Sequence, residues 1–314
     1  MCNAAATVVV QASGITKYFG EVSALRDVGV TAHEGEVHGL LGANGAGKTT
    51  FLRILLGLVI RDAGHIRVLD RDLPLRPSRL SRGVAAVLEG AGFYPYLTGR
   101  RNLILAAQMD DISMTDAAVD EAIARVGLAR TADRKVAGYS AGMRQRLAFA
   151  AALLRAPRLL LLDEPSSALD PAGAREVRAL IRALADAGTT VLLSSHNLVE
   201  VETLCSSATV LRDGTVVFSG DVDRLRALAG PEMHAIETSD DAAAIAIAEH
   251  HAAVRVDPAG VDRDAGFLIA GAPDAIDRYV VALGQAGIAV RRLRPRERSL
   301  ETVFLHLTGP GAAS

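Results

Sequence analysis

One stretch of the sequence decides the fold: Gly42-Ala43-Asn44-Gly45-Ala46-Gly47-Lys48-Thr49. It fits the pattern G-x-x-x-x-G-K-[ST], and it lies between a predicted strand at 36–41 and a predicted helix at 49–59. Its glycines let the backbone curl so that N–H groups point inward around phosphate oxygens, and the helix N-terminus adds its positive dipole end. We therefore predict a phosphate-binding loop at 42–49, named the phosphate loop, in which Lys48 reaches the β- and γ-phosphates and Thr49 holds Mg²⁺.

A second motif supplies the acidic half of a nucleotide site. Leu159–Asp163 is an aliphatic run of the kind that forms a buried strand, and Glu164 and Pro165 follow it directly. An aspartate at the end of such a strand, next to the phosphate loop, can hold Mg²⁺ through water. The adjacent Glu164 is placed to polarise an attacking water. Together the two motifs predict nucleotide chemistry that uses magnesium.

Strands and helices alternate along the first part of the chain. The strand-like apolar runs are 36–41, 84–88, 159–163 and 189–194, and the helical segments among them include 49–59 and 172–187. This alternation predicts an α/β fold with a parallel sheet that is covered on both faces. From 97 to 156 the pattern is helical instead, with segments at 102–109, 115–126 and 140–154, and Thr115 is a predicted N-cap.

The character of the sequence changes near residue 229. Two alanine-rich helical segments, 240–250 and 272–286, stand among short strand-like pieces at 234–238, 266–269 and 289–293. We predict a nucleotide-binding domain over 7–228 and a small α+β domain over 229–314. The closing helix has one apolar face because its apolar residues recur at i, i+3, i+4 and i+7: Leu300, Val303, Phe304 and Leu307. Ser299 is its predicted N-cap.

Composition excludes several classes of protein. The 314 residues are 50% hydrophobic and 22% charged, which excludes a disordered or collagenous chain. A net charge of −2 offers no basic field for a polyanion, so nucleic acid is not an expected partner. The two cysteines, Cys2 and Cys205, lack metal-ligand spacing. Because no apolar run approaches the roughly 18–20 residues that span a bilayer, and no secretion signal is evident, we expect a soluble chain in a reducing compartment.

A third motif precedes the acidic strand: Tyr139-Ser140-Ala141-Gly142-Met143, followed by Arg144-Gln145-Arg146-Leu147. With this segment the chain resembles the ATP-binding cassette (ABC) ATPases, whose family signature is LSGGQ-x-QR. Ser140 and Gly142 retain the pair that contacts the γ-phosphate in this family, whereas Met143 stands where the family has Gln. The resemblance covers about residues 7–228. It implies a parallel-sheet core with an antiparallel β part and a helical insert at about 97–156, in addition to the small C-terminal α+β domain.

The resemblance implies ATP and Mg²⁺ as cofactors and assigns the site residues to three groups. The catalytic group is Glu164 as the base, His196 on the γ-phosphate, and Lys48. The nucleotide contacts are Phe19 against adenine, Gly42, Asn44, Gly45, Ala46, Gly47, Lys48, Thr49 and Thr50, with Ser140, Gly142, Met143 and Asp170 serving across a dimer. The metal group is Thr49, Asp163 and Glu89, where Glu89 replaces the family's usual Gln.

The resemblance also implies a function, with alternatives. Glu89, Phe93-Tyr94-Pro95 and the signature resemble the branch that includes bacterial antibiotic exporters. We expect two copies head to tail, working with a separately encoded multi-span permease at the cytoplasmic face of the cell membrane. The permease is expected to dock near Phe93–Tyr96. Two alternatives stay open: a soluble ABC ATPase in translation or DNA repair, and a drug-sequestering immunity protein.

Overall fold

The computed structural model describes residues 7–75, 82–88, 92–110, 115–228, 233–250, 253–257, 266–296 and 300–308. Within them the chain forms two compact units that divide between Val222 and Asp223. The domain boundary at residue 228, expected from the sequence, stays a prediction.

Two sheets and several helices build the described part of the first unit. Its strands are β1 (Val8–Phe19), β2 (Val22–His33), β3 (Val37–Leu41), β4 (Ala63–Val68), β5 (Arg71–Asp72), β6 (Val84–Val87), β7 (Leu159–Asp163), β8 (Thr190–Ser195), β9 (Ser207–Arg212) and β10 (Thr215–Asp221). Its helices are α1 (Lys48–Leu55), α2 (Gly99–Met109), α3 (Asp116–Arg125), α4 (Ala141–Leu153), α5 (Pro171–Asp186) and α6 (Leu198–Leu204).

The larger sheet has the strand order β10-β9-β3-β8-β7-β6, and the strands from β9 to β6 run parallel. The four strands predicted from apolar runs, β3, β6, β7 and β8, all lie in this sheet within one residue of their predicted bounds. Every residue of β3, β7 and β8 is buried, as expected of parallel strands that are covered on both faces. The predicted α/β fold is thus confirmed.

The smaller sheet is antiparallel, with the order β2-β1-β4-β5. β1 and β2 form a hairpin whose tight turn uses Gly20 at φ +59. The sequence analysis does not identify these strands one by one. Register shifts of β1 against β2, as between Ala12 and Ile15, interrupt the period-two alternation that marks a half-buried strand.

The helical segments predicted between 97 and 156 are present as α2, α3 and α4, and the described residues of this stretch contain no strand. Each helix begins at a hydroxyl side chain that accepts a hydrogen bond from a backbone N–H: Thr98, Thr115 and Ser140. The predicted cap at Thr115 is confirmed. α2 begins earlier than predicted because Thr98 caps it.

The helix after the phosphate loop ends earlier than predicted. The sequence analysis extends it to Val59, whereas α1 ends at Leu55. Gly57 adopts φ +73, and its N–H donates to the Ile54 carbonyl at 3.0 Å, so the chain turns out of the helix there. The residues beyond Gly57 are apolar like those of the helix, but they are not helical.

The second unit is an antiparallel sheet packed with helices, and its strand order is β12-β13-β11-β14. Its strands are β11 (Met233–Thr238), β12 (Val254–Asp257), β13 (Phe267–Gly271) and β14 (Val290–Arg296), and its helices are α8 (Asp241–His250), α9 (Pro273–Gln285) and α10 (Leu300–Thr308), with α7 (Val222–Ala227) at the boundary. The sequence analysis finds both alanine-rich helices and three of these strands. It misses β12, whose four residues are too short for a pattern.

The closing helix α10 has the predicted apolar face. Leu300 and Val303 are buried, and Phe304 and Leu307 are partly buried. The predicted N-cap Ser299 lies outside the described residues. That this face packs within the C-terminal region stays a prediction.

Tyr279 on α9 is a fully buried aromatic side chain in the core of the second unit, where it packs with Ile236, Phe267 and Leu283. Its hydroxyl donates a hydrogen bond to the Ala244 carbonyl at 2.8 Å, so α9 is tied to α8. Burial raises the pKa of Tyr279 to about 12. The phenol therefore stays neutral and keeps its donor at physiological pH.

We expect Tyr279→Phe to lower the free energy of unfolding by about 1 kcal/mol, because one buried hydrogen bond is lost. Tyr279→Ala should cost about 3–5 kcal/mol, since it leaves a cavity. Urea unfolding followed by circular dichroism measures both values. Tyr96→Phe is the control, because that ring is 64% exposed. Equal stability of the two phenylalanine variants would contradict this account of the core.

Candidate functional site

The phosphate loop connects β3 to α1, and its shape depends on glycine. Gly47 stands at the start of α1 with φ +104, and a Cβ there would lie 2.6 Å from Leu25 Cδ2 and 2.7 Å from the Ala24 carbonyl oxygen. A Cβ on Gly42 would lie 2.6 Å from the Leu211 carbonyl oxygen. Such approaches are too close for any side chain, so both positions need glycine for the loop to close.

Lys48 lies across this loop and is 5% exposed. Its Nζ donates to the carbonyl oxygens of Gly42 at 2.7 Å and Ala43 at 3.2 Å, and it lies 3.4 Å from Glu164 Oε1. A buried ammonium requires partners of this kind. The loop carbonyls therefore hold the cation at the mouth of the loop, where it can meet an anion.

Asp163 ends β7 beside the start of α1. Its Oδ1 accepts hydrogen bonds from Thr49 Oγ1 at 3.0 Å and from Ser194 Oγ at 2.6 Å, and the residue is 4% exposed. A carboxylate beside a hydroxyl is the oxygen donor set that Mg²⁺ prefers, with water and phosphate completing the shell. The two side chains thus fit the predicted metal. No cluster of three or more His, Cys, Asp or Glu suited to a metal occurs among the residues described here.

Glu164 follows in a strained conformation, with φ +48. Its N–H donates to Ser194, at 3.1 Å to Oγ and 3.2 Å to the carbonyl oxygen. Its Oε2 lies 2.7 Å from His196 Nδ1. Non-glycine residues with positive φ are held by their surroundings and cluster at functional sites. The strand ends of β7 and β8 therefore place Glu164 between Lys48 and His196.

These groups surround a cavity of about 320 Å³. Its lining consists of Ala24, Asn44, Gly45, Ala46, Gly47, Lys48, Thr49, Thr50, Glu164, Ser167 and His196. Sequence reasoning missed Ala24 and Ser167. It also missed Ser194, which joins Asp163 to Glu164 and whose only signal is its place two residues before His196.

The other predicted site residues that the structure describes lie outside this cavity lining. Ser140 caps α4 by accepting from the Met143 N–H at 3.2 Å, and Gly142 stands beside it in the first turn. Asp170 caps α5 by accepting from the Gly173 N–H at 2.8 Å. Glu89 lies outside the described residues, so its predicted metal contact stays a prediction.

Phe19 ends β1 with its side chain half exposed, also outside the cavity lining. Lys17 Nζ lies 5.2 Å from the centroid of its ring and 3.1 Å from Asp62 Oδ1. The Tyr18 backbone N–H, which donates to Asp62, is the main reason that the pKa of this carboxyl is lowered. Lys17 and Asp62 thus hold the end of β1, where the Phe19 side chain stays half exposed.

Comparison with known proteins agrees with this geometry. The model of the ABC transporter family matches residues 25–167. The chain is 33% identical to the bacitracin transport ATP-binding protein BcrA of Bacillus licheniformis, over 96% of this chain and 98% of that protein. The chain belongs to the ABC transporter ATP-binding proteins. It is also 35% identical to the daunorubicin resistance ATP-binding protein DrrA3 of Streptomyces coeruleorubidus, over 97% of each.

Solved structures support the same assignment. A nucleotide-free ATP-binding cassette from an ABC transporter matches with a TM-score of 0.64 at 20% identity, covering 72% of this chain and 96% of that one, which shows the fold. An ATP-binding subunit of an ABC transporter matches with a TM-score of 0.62 at 28% identity, covering 69% and 92%. As a member of this family, the chain is an ATPase. In the described part of the chain, no helix has the length and apolar character needed to cross a membrane.

The position of Lys48 leads to a binding prediction. Lys48→Ala should weaken ATP binding at least about tenfold, because a charge-assisted contact with phosphate contributes about 1.5–3 kcal/mol. Titration with a fluorescent ATP analogue measures the dissociation constant. Lys135→Ala is the matched control, since Lys135 is exposed and outside the cavity lining. Unchanged affinity in Lys48→Ala would refute the phosphate-loop assignment.

Proposed function

We propose that this ABC protein is the ATP-hydrolysing subunit that powers export of an antibiotic, drug or lipid-like compound through a separate membrane permease. The observation that carries the proposal is the convergence of Lys48, Glu164 and His196, each within 3.4 Å of the next, beside the phosphate loop. Relatives named for bacitracin transport and daunorubicin resistance support the export part.

The phosphate loop would hold the ATP phosphates with its backbone N–H groups and with Lys48. Thr49 and Asp163 would hold Mg²⁺, Thr49 through its hydroxyl and Asp163 through water, with Glu89 as a further water contact. The ion, when bound, neutralises charge on the β- and γ-phosphates. Phe19 would stack on adenine, and the half-exposed ring at the end of β1 supports this.

Glu164 would act as the general base that accepts a proton from the attacking water. Its Oε2 contacts His196 Nδ1 and its Oε1 lies near Lys48, so a proton acceptor stands beside the cation that would bind phosphate. His196 would then hold the γ-phosphate. With ATP bound, the phosphate would compete with Glu164 for Lys48 and His196 and release the carboxylate toward water.

A second copy of the chain would complete each site. Ser140 is exposed and Gly142 and Met143 are half-buried, yet none of them lines the cavity that holds the catalytic groups. Hydrogen-bond donors at the start of α4 suit the γ-phosphate of an ATP bound to a partner. The two chains would lie head to tail, with Asp170 between the two sites. ATP would then stabilise the dimer and hydrolysis would release it, which provides the two states that transport requires.

The aromatic segment Phe93–Tyr96 would bind the permease at the cytoplasmic face of the membrane. Tyr94 and Tyr96 are 44% and 64% exposed, and their rings pack with centroids 5.8 Å apart. Tyrosine is enriched at protein interfaces because it buries a large area at a low entropic cost. Affinity capture of the tagged chain from membranes tests this: a multi-span protein should co-purify with the parent and be lost with Tyr94→Ala/Tyr96→Ala.

The proposed base gives a kinetic prediction. Glu164→Gln should still bind ATP but hydrolyse it at least about 100-fold more slowly, because general base catalysis contributes roughly 10² to 10⁴. A dimer should then accumulate in the presence of ATP, since the ligand that favours association is no longer consumed. Phosphate release and sedimentation measure the two effects, and Glu121→Gln on α3, an exposed residue outside the cavity lining, is the control. Hydrolysis at the parental rate would show that Glu164 is not the base.

The C-terminal region gives a second prediction. Ending the chain after Leu228 should leave ATP binding intact, because the cavity lining lies wholly within 24–196. We expect dimerisation or export to fall, since we propose that residues 229–314 stabilise or regulate the dimer. Sedimentation with ATP and a cellular resistance assay measure these effects. A folded truncation that no longer binds nucleotide would contradict the proposal, as would one with full dimerisation and full export.

A further inference from the structure

The first unit contains a buried carboxylate close to the loops that carry Glu164 and His196. Glu200, in the first turn of α6, is 1% exposed. Its Oε1 accepts a hydrogen bond from Ser166 Oγ at 2.8 Å, and its Oε2 accepts one from Ser195 Oγ at 2.6 Å. A buried carboxylate costs free energy unless hydrogen bonds satisfy it, and here each oxygen has a hydroxyl partner.

Glu200 does not serve as an ordinary helix cap. Asn197 caps α6, because its Oδ1 accepts from the N–H groups of Val199 and Glu200. A glutamate at this position commonly reaches back to the N–H of the capping residue. In this helix the Asn197 N–H donates instead to Ser195 Oγ at 3.0 Å, and that hydroxyl donates onward to Glu200. The carboxylate therefore anchors the residues before the helix rather than the helix itself.

The two serines belong to the loops that carry Glu164 and His196. Ser195 directly precedes His196, and Ser166 follows Glu164 by two residues. One side chain thus holds both loops at the places where their catalytic residues emerge. A second cavity, of about 350 Å³, is lined in part by Glu164, His196 and Glu200. Because this space adjoins the loops, they have room to shift once the carboxylate is removed.

We propose that Glu200 is a positioning residue for ATP hydrolysis, whose buried carboxylate sets the spacing between Glu164 and His196 by holding Ser166 and Ser195. The inference rests on the proposed roles of Glu164 and His196. Glu200 touches neither the phosphate loop nor Lys48 among the described contacts. It should therefore act on the rate of the chemical step and leave nucleotide binding alone.

Steady-state kinetics of the full chain test this. Glu200→Ala should lower kcat about tenfold or more with KM within about twofold, because a misplacement near 1 Å can cost roughly 10² in rate. Glu200→Gln should keep kcat within about threefold, since its amide accepts from one hydroxyl and donates to the other. Thr203→Ala is the control on the same helix, because that hydroxyl donates to the α6 carbonyls of Val199 and Glu200. It should leave both constants unchanged.

A second variant separates positioning from stability. Ser166→Ala/Ser195→Ala/Glu200→Leu replaces the three side chains of the network with apolar groups of similar volume, an exchange that is often neutral for folding. The Asn197 N–H loses its bond to Ser195 Oγ, but it belongs to an exposed residue and can bond to water instead. Its melting temperature should stay close to that of the parent while its kcat remains about tenfold lower. Parental kcat in this variant or in Glu200→Ala would overturn the proposal, as would a loss carried mainly by KM. Hydrolysis by the unmodified chain tests the proposed function, and the ratio of variant to parental kcat tests Glu200.

Discussion

Parallel pairing of β8 with both β3 and β7 brings three loops to one edge of the larger sheet. Leu41 pairs with Ser195, and Asp163 pairs with Ser194, so the three strands end almost level. The phosphate loop, Glu164 and His196 each follow one of these strand ends. In a parallel sheet the carboxyl ends of neighbouring strands meet at the same edge, and ligands bind there. The contacts that join these loops depend on this register, because a slip of one residue would turn each following side chain to the opposite face.

The electrostatics of the site follow from that arrangement. Lys48 is held by loop carbonyls and lies beside Glu164, and Glu164 contacts His196. The groups that would receive phosphate thus contact the carboxylate that would accept a proton. Binding of an anion would exchange one partner of Lys48 for another, so the buried ammonium would keep a partner throughout. Ser140, Gly142 and Met143, which are similar to the signature, do not line the cavity of their own chain. This is the physical reason to invoke a second copy.

Features that depend on local geometry could be predicted from the sequence, whereas side-chain contacts between distant segments could not. The phosphate loop could be predicted because Gly42 and Gly47 meet steric demands that no other residue satisfies. The end of α1 could not be predicted, since apolar residues continue past Gly57 and the helix stops at the positive φ of that glycine. The roles of Ser194 and Glu200 could not be predicted either, because Ser194 meets Asp163 across 31 residues of sequence and Glu200 meets Ser166 across 34. No periodicity or motif records such a contact.

A complementation assay tests most directly whether the site is built from two chains. Lys48→Ala damages the phosphate loop, and Gly142→Asp places a negative charge in the signature segment at a position where a Cβ meets no atom closer than 4.0 Å. A dimer of one copy of each variant contains one site in which both halves are intact. The account predicts that the mixture hydrolyses ATP several-fold faster than the mean of the two separate variants. A mixture no faster than that mean, at concentrations where the unmodified chain dimerises, would contradict it.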